Sequence, residues 1–250
     1  MISLLTDFGT ADYFVGAVKG AILSINPAAV IVDITHEIPP QDVAAGAFTL
    51  LAAYKTFPAG TIHVAVVDPG VGSTRRPIIV SANEQFFVGP DNGLFTYIYD
   101  REPSHRIFHV TADRYFRPEP STTFHGRDIF APVAAALSNG VAVEEFGAEI
   151  NDEVRLPSLE TPLRIIHIDR FGNCVTNISH ELFEAVNGSA LLINGTTISS
   201  FRNFYGEADE HDTLFAIWGS AGFLEISVNG GSAAKKLNAE RNDTIQVIPN

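Results

Sequence analysis

Short apolar runs alternate with longer stretches of helical period through the first 150 residues. ISLLT (2–6) reads as a strand, and YFVGAVKGAILSI (13–25) follows with its apolar residues at helical spacing. VIVDI (30–34) is the next strand, and QDVAAGAFTLLAAYKTF (41–57) is a helix with Asp42 as its N-cap. TIHVAVVD (61–68) is a third strand, and PIIVSA (77–82) with QFFVG (85–89) makes a hairpin. HRIFHV (105–110) adds a strand, and RDIFAPVAAALSNG (127–140) a helix that stops at Gly140. Strands alternating with helices predict an α/β domain, a mostly parallel sheet with helices on its faces.

The pattern changes near residue 150. NDEVRLPSLETP (151–162) is polar, proline-bearing and aperiodic, as a linker is. From residue 163 to 250 short strands follow one another through tight turns: LRIIHID, ALLINGTTIS, TLFAIWGS, GFLEISVN and DTIQVIP. Asn194-Gly195 is a strong hairpin signal, and SHELFEAV is a short helix between strands. This second domain reads as a small antiparallel barrel or sandwich.

Composition narrows the classes of function. Lys and Arg number 16 against 29 Asp and Glu, a formal net charge of −13, which argues against a nucleic-acid partner. A neutral or cationic small ligand suits that balance, although acidity also serves solubility. One cysteine, Cys174, excludes a disulfide framework or a cysteine-rich metal site. Eight histidines are scattered with no HxH or HExxH, so no metal is expected. MISLLTDFGT does not read as a signal peptide, and no apolar stretch approaches the roughly 18 residues of a membrane span. The expected setting is the cytoplasm, with no membrane contact.

Ligands of α/β sheets bind beyond the carboxyl ends of the strands. TDFGTAD (6–12), VDPGVGSTRR (67–76) and GPDNG (89–93) fall there. Asp7 and Asp68 each end a strand, where a carboxylate can accept ribose hydroxyls or simply cap a turn. No phosphate-loop glycine pattern and no GxSxG elbow occur. FHGRDIFAP (124–132) places His125 before a helix, and Arg127 and Asp128 can pair on the surface. Asp68, Arg75 and His125 share one predicted sheet end: a carboxylate to accept a proton or orient water, a cation to keep it ionised, an imidazole to touch the same water. In the second domain Asp169 and Asn173 lie on a turn, an Asx-turn or a site, and Ser220 lies between two strands. Glu225 alternates with apolar residues, where a strand glutamate ordinarily faces solvent, and it is kept among the candidate substrate contacts.

Seven ordered motifs resemble one family over nearly the whole chain: LLTDFGTADYFVG, THEIPPQDVAAGA, VVDPGVGSTRRP, GPDNGLFT, FHGRDIFAPVAA, DRFGNCVTNI and GSAGFLEISVNGGSAA. The chain resembles the adenosine-forming S-adenosyl-L-methionine (SAM) hydrolases, or SAM hydroxide adenosyltransferases, relatives of the fluorinase and chlorinase enzymes. The resemblance implies an N-terminal α/β/α domain, a C-terminal β-barrel, and a homotrimer with each site between the large domain of one subunit and the small domain of its neighbour. It implies hydrolysis of SAM to adenosine and L-methionine by water attacking C5′, with no cofactor. By the same resemblance Asp68, Arg75 and His125 are the catalytic set, which the halogenases lack. Asp7 matches the ribose contact, and Asp12 and Asp169 match residues at the methionine end. Asn173, Tyr205, Val228 and Gly230 fall where the family holds adenine, and Ser220 matches a methionine-carboxylate contact. The halogenases have an arginine where this chain carries Ala221. The rival readings are a non-catalytic SAM or adenosine binder, which has no use for a water-activating trio, and a halogenase of the same fold.

Overall fold

Three apolar runs form the parallel half of the first sheet: β1 (Ile2–Thr6), β2 (Ile31–Thr35) and β3 (Ile62–Val66). In this computed structural model, which describes residues 1–207 and 212–249, the helices α1 (Phe14–Ile25) and α2 (Val43–Ala53) connect them. Parallel neighbours need such crossovers, because a tight turn cannot return a strand to the same direction. All five residues of β1 and all five of β3 are buried, as expected of strands with both faces covered. Asp42 caps α2 by accepting from Ala45 N at 3.0 Å, and the helix tightens into a 3₁₀ turn at Tyr54–Thr56.

The sheet continues through a hairpin and two further antiparallel strands. β4 (Pro77–Ala82) and β5 (Gln85–Pro90) form the expected hairpin over Asn83 and Glu84, whose φ angles of 51° and 57° suit a type I′ turn. A short helix, α3 (Thr96–Arg101), precedes β6 (Arg106–His109), and α4 (Ala131–Ser138) precedes β7 (Glu149–Ile150). The strand order is β2-β1-β3-β5-β4-β6-β7. Its pairings are parallel from β2 through β5 and antiparallel from β5 through β7, so the sheet is mixed where a mostly parallel one was expected. The predicted helix 127–140 opens instead as a π-turn, Gly126–Phe130, that runs into α4.

Met1–Pro157 and Ser158–Asn250 are separate compact units. In the second, β8 (Ile165–Ile168), β9 (Cys174–Ser179), α5 (His180–Ala185), β10 (Gly188–Ile193) and β11 (Thr196–Ile198) come first. β12 (Phe201–Arg202), β13 (Leu214–Trp218), β14 (Phe223–Val228), α6 (Ala233–Leu237) and β15 (Gln246–Pro249) complete it. Among the described residues these strands form two sheets, β11-β10-β15 and β12-β13-β14-β9-β8, and not a closed barrel. One pairing, β12 with β13, is parallel, which the antiparallel expectation did not include. Asn194 and Gly195, with φ of 48° and 77°, turn the β10–β11 hairpin as predicted. Ile165, Ile178, Leu191, Ile193, Leu224 and Ile226 fill the core of this unit. No helix among the described residues is long and apolar enough to cross a membrane.

Candidate active site

β1, β3 and β5 run in one direction, so the segments that follow them leave the sheet at one edge. Asp68 lies two residues past the end of β3, and the chain then loops through Gly70 and Gly72 to Arg75. Gly72 has φ of 78°, and a Cβ there would stand 2.2 Å from the Thr122 carbonyl oxygen. Glycine is what lets this loop lie against the segment carrying His125.

The three residues named from the sequence converge. Arg75 Nε is 2.9 and 3.0 Å from the two carboxylate oxygens of Asp68, and Nη2 of the same guanidinium donates to Oδ2. That Nη2 is also 2.6 Å from Nδ1 of His125. The Arg75 and Asp68 side chains are 9% and 5% exposed. A guanidinium can only donate, so Nδ1 accepts and the imidazole carries its proton on Nε2. Burial first, and the Arg75 charge second, push the His125 pKa below its ordinary value, against the pull of Asp68 and Asp128. The Arg75 guanidinium also lies 5.2 Å from the centre of the Phe130 ring, which the π-turn supplies.

The adjacent arginine does something else. Arg76 bonds Asp91, whose side chain is 2% exposed, at 2.6 Å, and Asp152 at 2.7 Å. Asp91 accepts in addition from Val154 N at 2.8 Å, and Asn92 Nδ2 donates to Val67 O at 2.9 Å. GPDNG therefore braces the end of β3. Asp128 does pair with Arg127, but not on the surface: the residue is 1% exposed and also accepts from Ser121 N. Burial alone would raise its pKa, and the bonds from Arg127 and Ser121 more than reverse that.

Asp7 is half-buried and accepts from Gln41 N at 2.8 Å, while Asp12 is exposed on the turn before α1. Sequence reasoning missed the rings beside them. Phe8, Phe14 and Phe124 form a triangle with centroids 5.9, 5.7 and 5.2 Å apart. All three lie inside motifs already singled out, and they pack in the apolar core of the first unit.

The second unit holds a cavity of about 810 Å³. Asp169, Asn173, Tyr205, Ser220, Glu225, Val228 and Gly230 all line it. Asp169 is an Asx-turn as well: Oδ1 accepts from Phe171 N and Asn173 N, and Oδ2 from Asn173 Nδ2, each at 2.9 Å. Glu225 does not face open solvent as its place on a strand led us to expect. It lines the cavity 3.4 Å from the Tyr205 hydroxyl, and burial, then the charge of Asp169, raise its pKa. A Cβ on Gly219 would lie 1.8 Å from Glu225 Oε1, so a larger residue there would displace this carboxylate from its present position. Phe171, Ile217 and Trp218 also line the cavity, and the sequence reading did not name them. Phe171 is 77% exposed, and Trp218 stacks on His180 with centroids 3.5 Å apart. Cys174, next to Asn173, is buried, and its thiol is pushed up to about 12.

Comparison with known proteins agrees across both units. A family model described as the SAM hydroxide adenosyltransferase N-terminal domain matches residues 2–147, and the corresponding C-terminal domain matches 163–246. An (R)-S-adenosyl-L-methionine hydrolase from Methanocaldococcus jannaschii is 39% identical, over 99% of this chain and 95% of that protein. A fluorinase from Nocardia brasiliensis is 26% identical over 99% of this chain and 96% of its own. The crystal structure of an uncharacterized conserved protein from Thermotoga maritima superposes with a TM-score of 0.92 at 35% identity, covering 98% of both chains.

Proposed function

The chain belongs to the SAM hydroxide adenosyltransferase family, and from that premise we propose how its residues hydrolyse S-adenosyl-L-methionine to adenosine and L-methionine. The observation that carries the reading is the Asp68–Arg75–His125 network at the strand ends. The water-using relative is also closer in sequence than the fluorinase, at 39% against 26% identity.

Water attacks C5′ in line with the sulfonium. The O–C5′ bond forms, the C5′–S bond breaks, and its electron pair leaves on methionine as a neutral thioether. The leaving group needs no acid, so the work lies in the nucleophile. Asp68 is the proton acceptor: Arg75 occupies one side of the carboxylate, and an ionised carboxylate has about four lone-pair sites in all. His125, accepting at Nδ1, presents Nε2–H to the water oxygen and orients it. Arg75 fixes both partners. Positioning of this kind is worth up to several kcal/mol, and general-base help about 10²–10⁴-fold.

Asp7 takes the ribose hydroxyls, and Asp12 and Asp169 take the methionine end. Asn173, Tyr205, Val228 and Gly230 take adenine, Ser220 the methionine carboxylate, and Glu225 adds negative charge facing the cationic substrate. The working assembly is a homotrimer, in which the first unit of one subunit and the second unit of its neighbour enclose the substrate.

The decisive experiment incubates the protein with SAM in ¹⁸O-labelled water. Adenosine labelled at its 5′ oxygen, with methionine, is the expected result; methylthioadenosine, S-adenosylhomocysteine or unlabelled adenosine overturns the scheme.

A further inference from the structure

THEIPPQ (35–41) takes no part in the chemistry above, yet it is knitted to the turn that carries Asp7. Gly9 N donates to His36 O at 2.8 Å, and Ile38 N to Thr6 O at 3.4 Å. The Thr10 hydroxyl donates to Glu37 at 3.1 Å, and Gln41 N to Asp7 Oδ2 at 2.8 Å. Gln41 makes its bond from a left-handed backbone, φ 66°, which a residue other than glycine adopts only when its surroundings impose it.

Beneath this backbone seam runs a line of side chains. Thr6 Oγ1 is 2.8 Å from His36 Nδ1 and accepts from Phe8 N at 3.3 Å, so one hydroxyl ties together the residues on either side of Asp7. Thr6 and His36 are 1% and 5% exposed. The other ring nitrogen of His36 lies 3.2 Å from Asp33 Oδ1, off the donor direction, so that contact is electrostatic rather than a hydrogen bond. Lys19 Nζ holds Asp33 Oδ2 at 2.6 Å. Burial would raise the Asp33 pKa, but Lys19 and His36 bring it below its ordinary value, so the outer end of the line is charged.

We propose that Asp33, His36 and Thr6 form a positioning relay that sets the direction in which Asp7 presents its carboxylate to the ribose. None of the three touches substrate; they act through the turn. The inference rests on the ribose role given to Asp7, and the test separates the two. Steady-state kinetics with SAM are measured for Thr6→Val, Thr6→Ser, Asp33→Asn, Asp7→Asn and the Thr6→Val/Asp7→Asn double variant. Loss of one aligning hydroxyl is expected to raise KM about tenfold while kcat stays within about threefold. Thr6→Ser, which keeps the hydroxyl, restores most of this, Asp33→Asn raises KM about threefold, and Thr6→Val adds nothing once Asp7 is Asn. A lowered Tm with unchanged KM, absence of rescue by serine, or full additivity with Asp7→Asn overturns the relay. If Asp7→Asn itself leaves KM unchanged, the ribose reading falls and takes the relay with it. If Asp7→Asn raises KM while Thr6→Val and Asp33→Asn do not, the relay alone falls. Should Thr6→Val fail to fold, Asp33→Asn decides, because that side chain is 39% exposed and its loss leaves no hole in the core.

Discussion

Asp68 and Asp169 each follow a strand, and each carboxylate is held in place, but by different kinds of donor. Asp169 is held by backbone N–H groups and an amide from residues two and four positions away. Asp68 is held by a guanidinium from a loop, and that guanidinium also reaches an imidazole 50 residues further on. The first arrangement is a turn that a short segment makes for itself, and its carboxylate looks into a roomy cavity. The second exists only when separate segments are brought together, and it is nearly dry. A local turn fixes the shape of a short segment; a charge-assisted cluster fixes the relative positions of distant side chains with shorter, stronger bonds. On the function proposed above, the first arrangement would serve binding and the second the activation of water.

Asp68→Ala tests that division most severely. Turnover should fall by about 10³-fold or more, with SAM affinity measured by calorimetry changed only a few-fold. Mixing that variant with Asn173→Ala should restore activity if sites form between subunits, and restore none if each chain is self-sufficient. The neighbouring arginines give the next contrast. Arg75→Met leaves a buried carboxylate unpaired and should cost about 3–5 kcal/mol of stability together with about 10²-fold in kcat. Arg76→Met takes the guanidinium from buried Asp91 but leaves the Val154 N–H bond, so it should cost less stability by thermal melting than Arg75→Met, while kcat stays within about threefold. Equal losses of kcat at both positions would erase the distinction.

The pH profile is a finer probe. His125 is lowered from 6.5, so it stays neutral at and somewhat below that value. As pH falls through its own pKa, Nδ1 gains a proton and faces Arg75 as a second cation, so turnover declines on the acid side. An acid limb in kcat/KM with its midpoint under 6.5 is expected, and one at or above 6.5 contradicts the arrangement. The smallest effect belongs to the second unit. Glu225→Gln removes one of two acidic groups lining the cavity and should raise KM about threefold with kcat unchanged, a screened attraction at a half-exposed site.

How much of this was visible in the residues follows the same line. VVDPGVGSTRRP carries Asp68 and Arg75 together, and the rule that strand ends of α/β sheets hold ligands brought His125 to them. Asn194-Gly195 and Asp42 announced their turn and cap through side-chain and backbone preferences that need no partner. What stayed hidden depended on partners far along the chain. Periodicity marks β6 as extended but not as antiparallel to its neighbour, it shows nothing of the two-residue β7, and it cannot tell two open sheets from a closed barrel. α3 and α6, six and five residues long, are too short to show a helical repeat. Alternation along β14 shows that Glu225 shares a face with Phe223 and Ser227, but not that this face meets a cavity. The exposed Phe171 and stacked Trp218 read like any other aromatics until the strands around them are paired.

Cys174 has a practical consequence. The chain's only thiol is buried and protonated at ordinary pH, so maleimides will pass it by. A cysteine in place of the exposed Phe171 would then take a fluorophore alone, at the lining of the second unit's cavity. Its emission would report in real time whether SAM enters that cavity, in an otherwise unaltered protein.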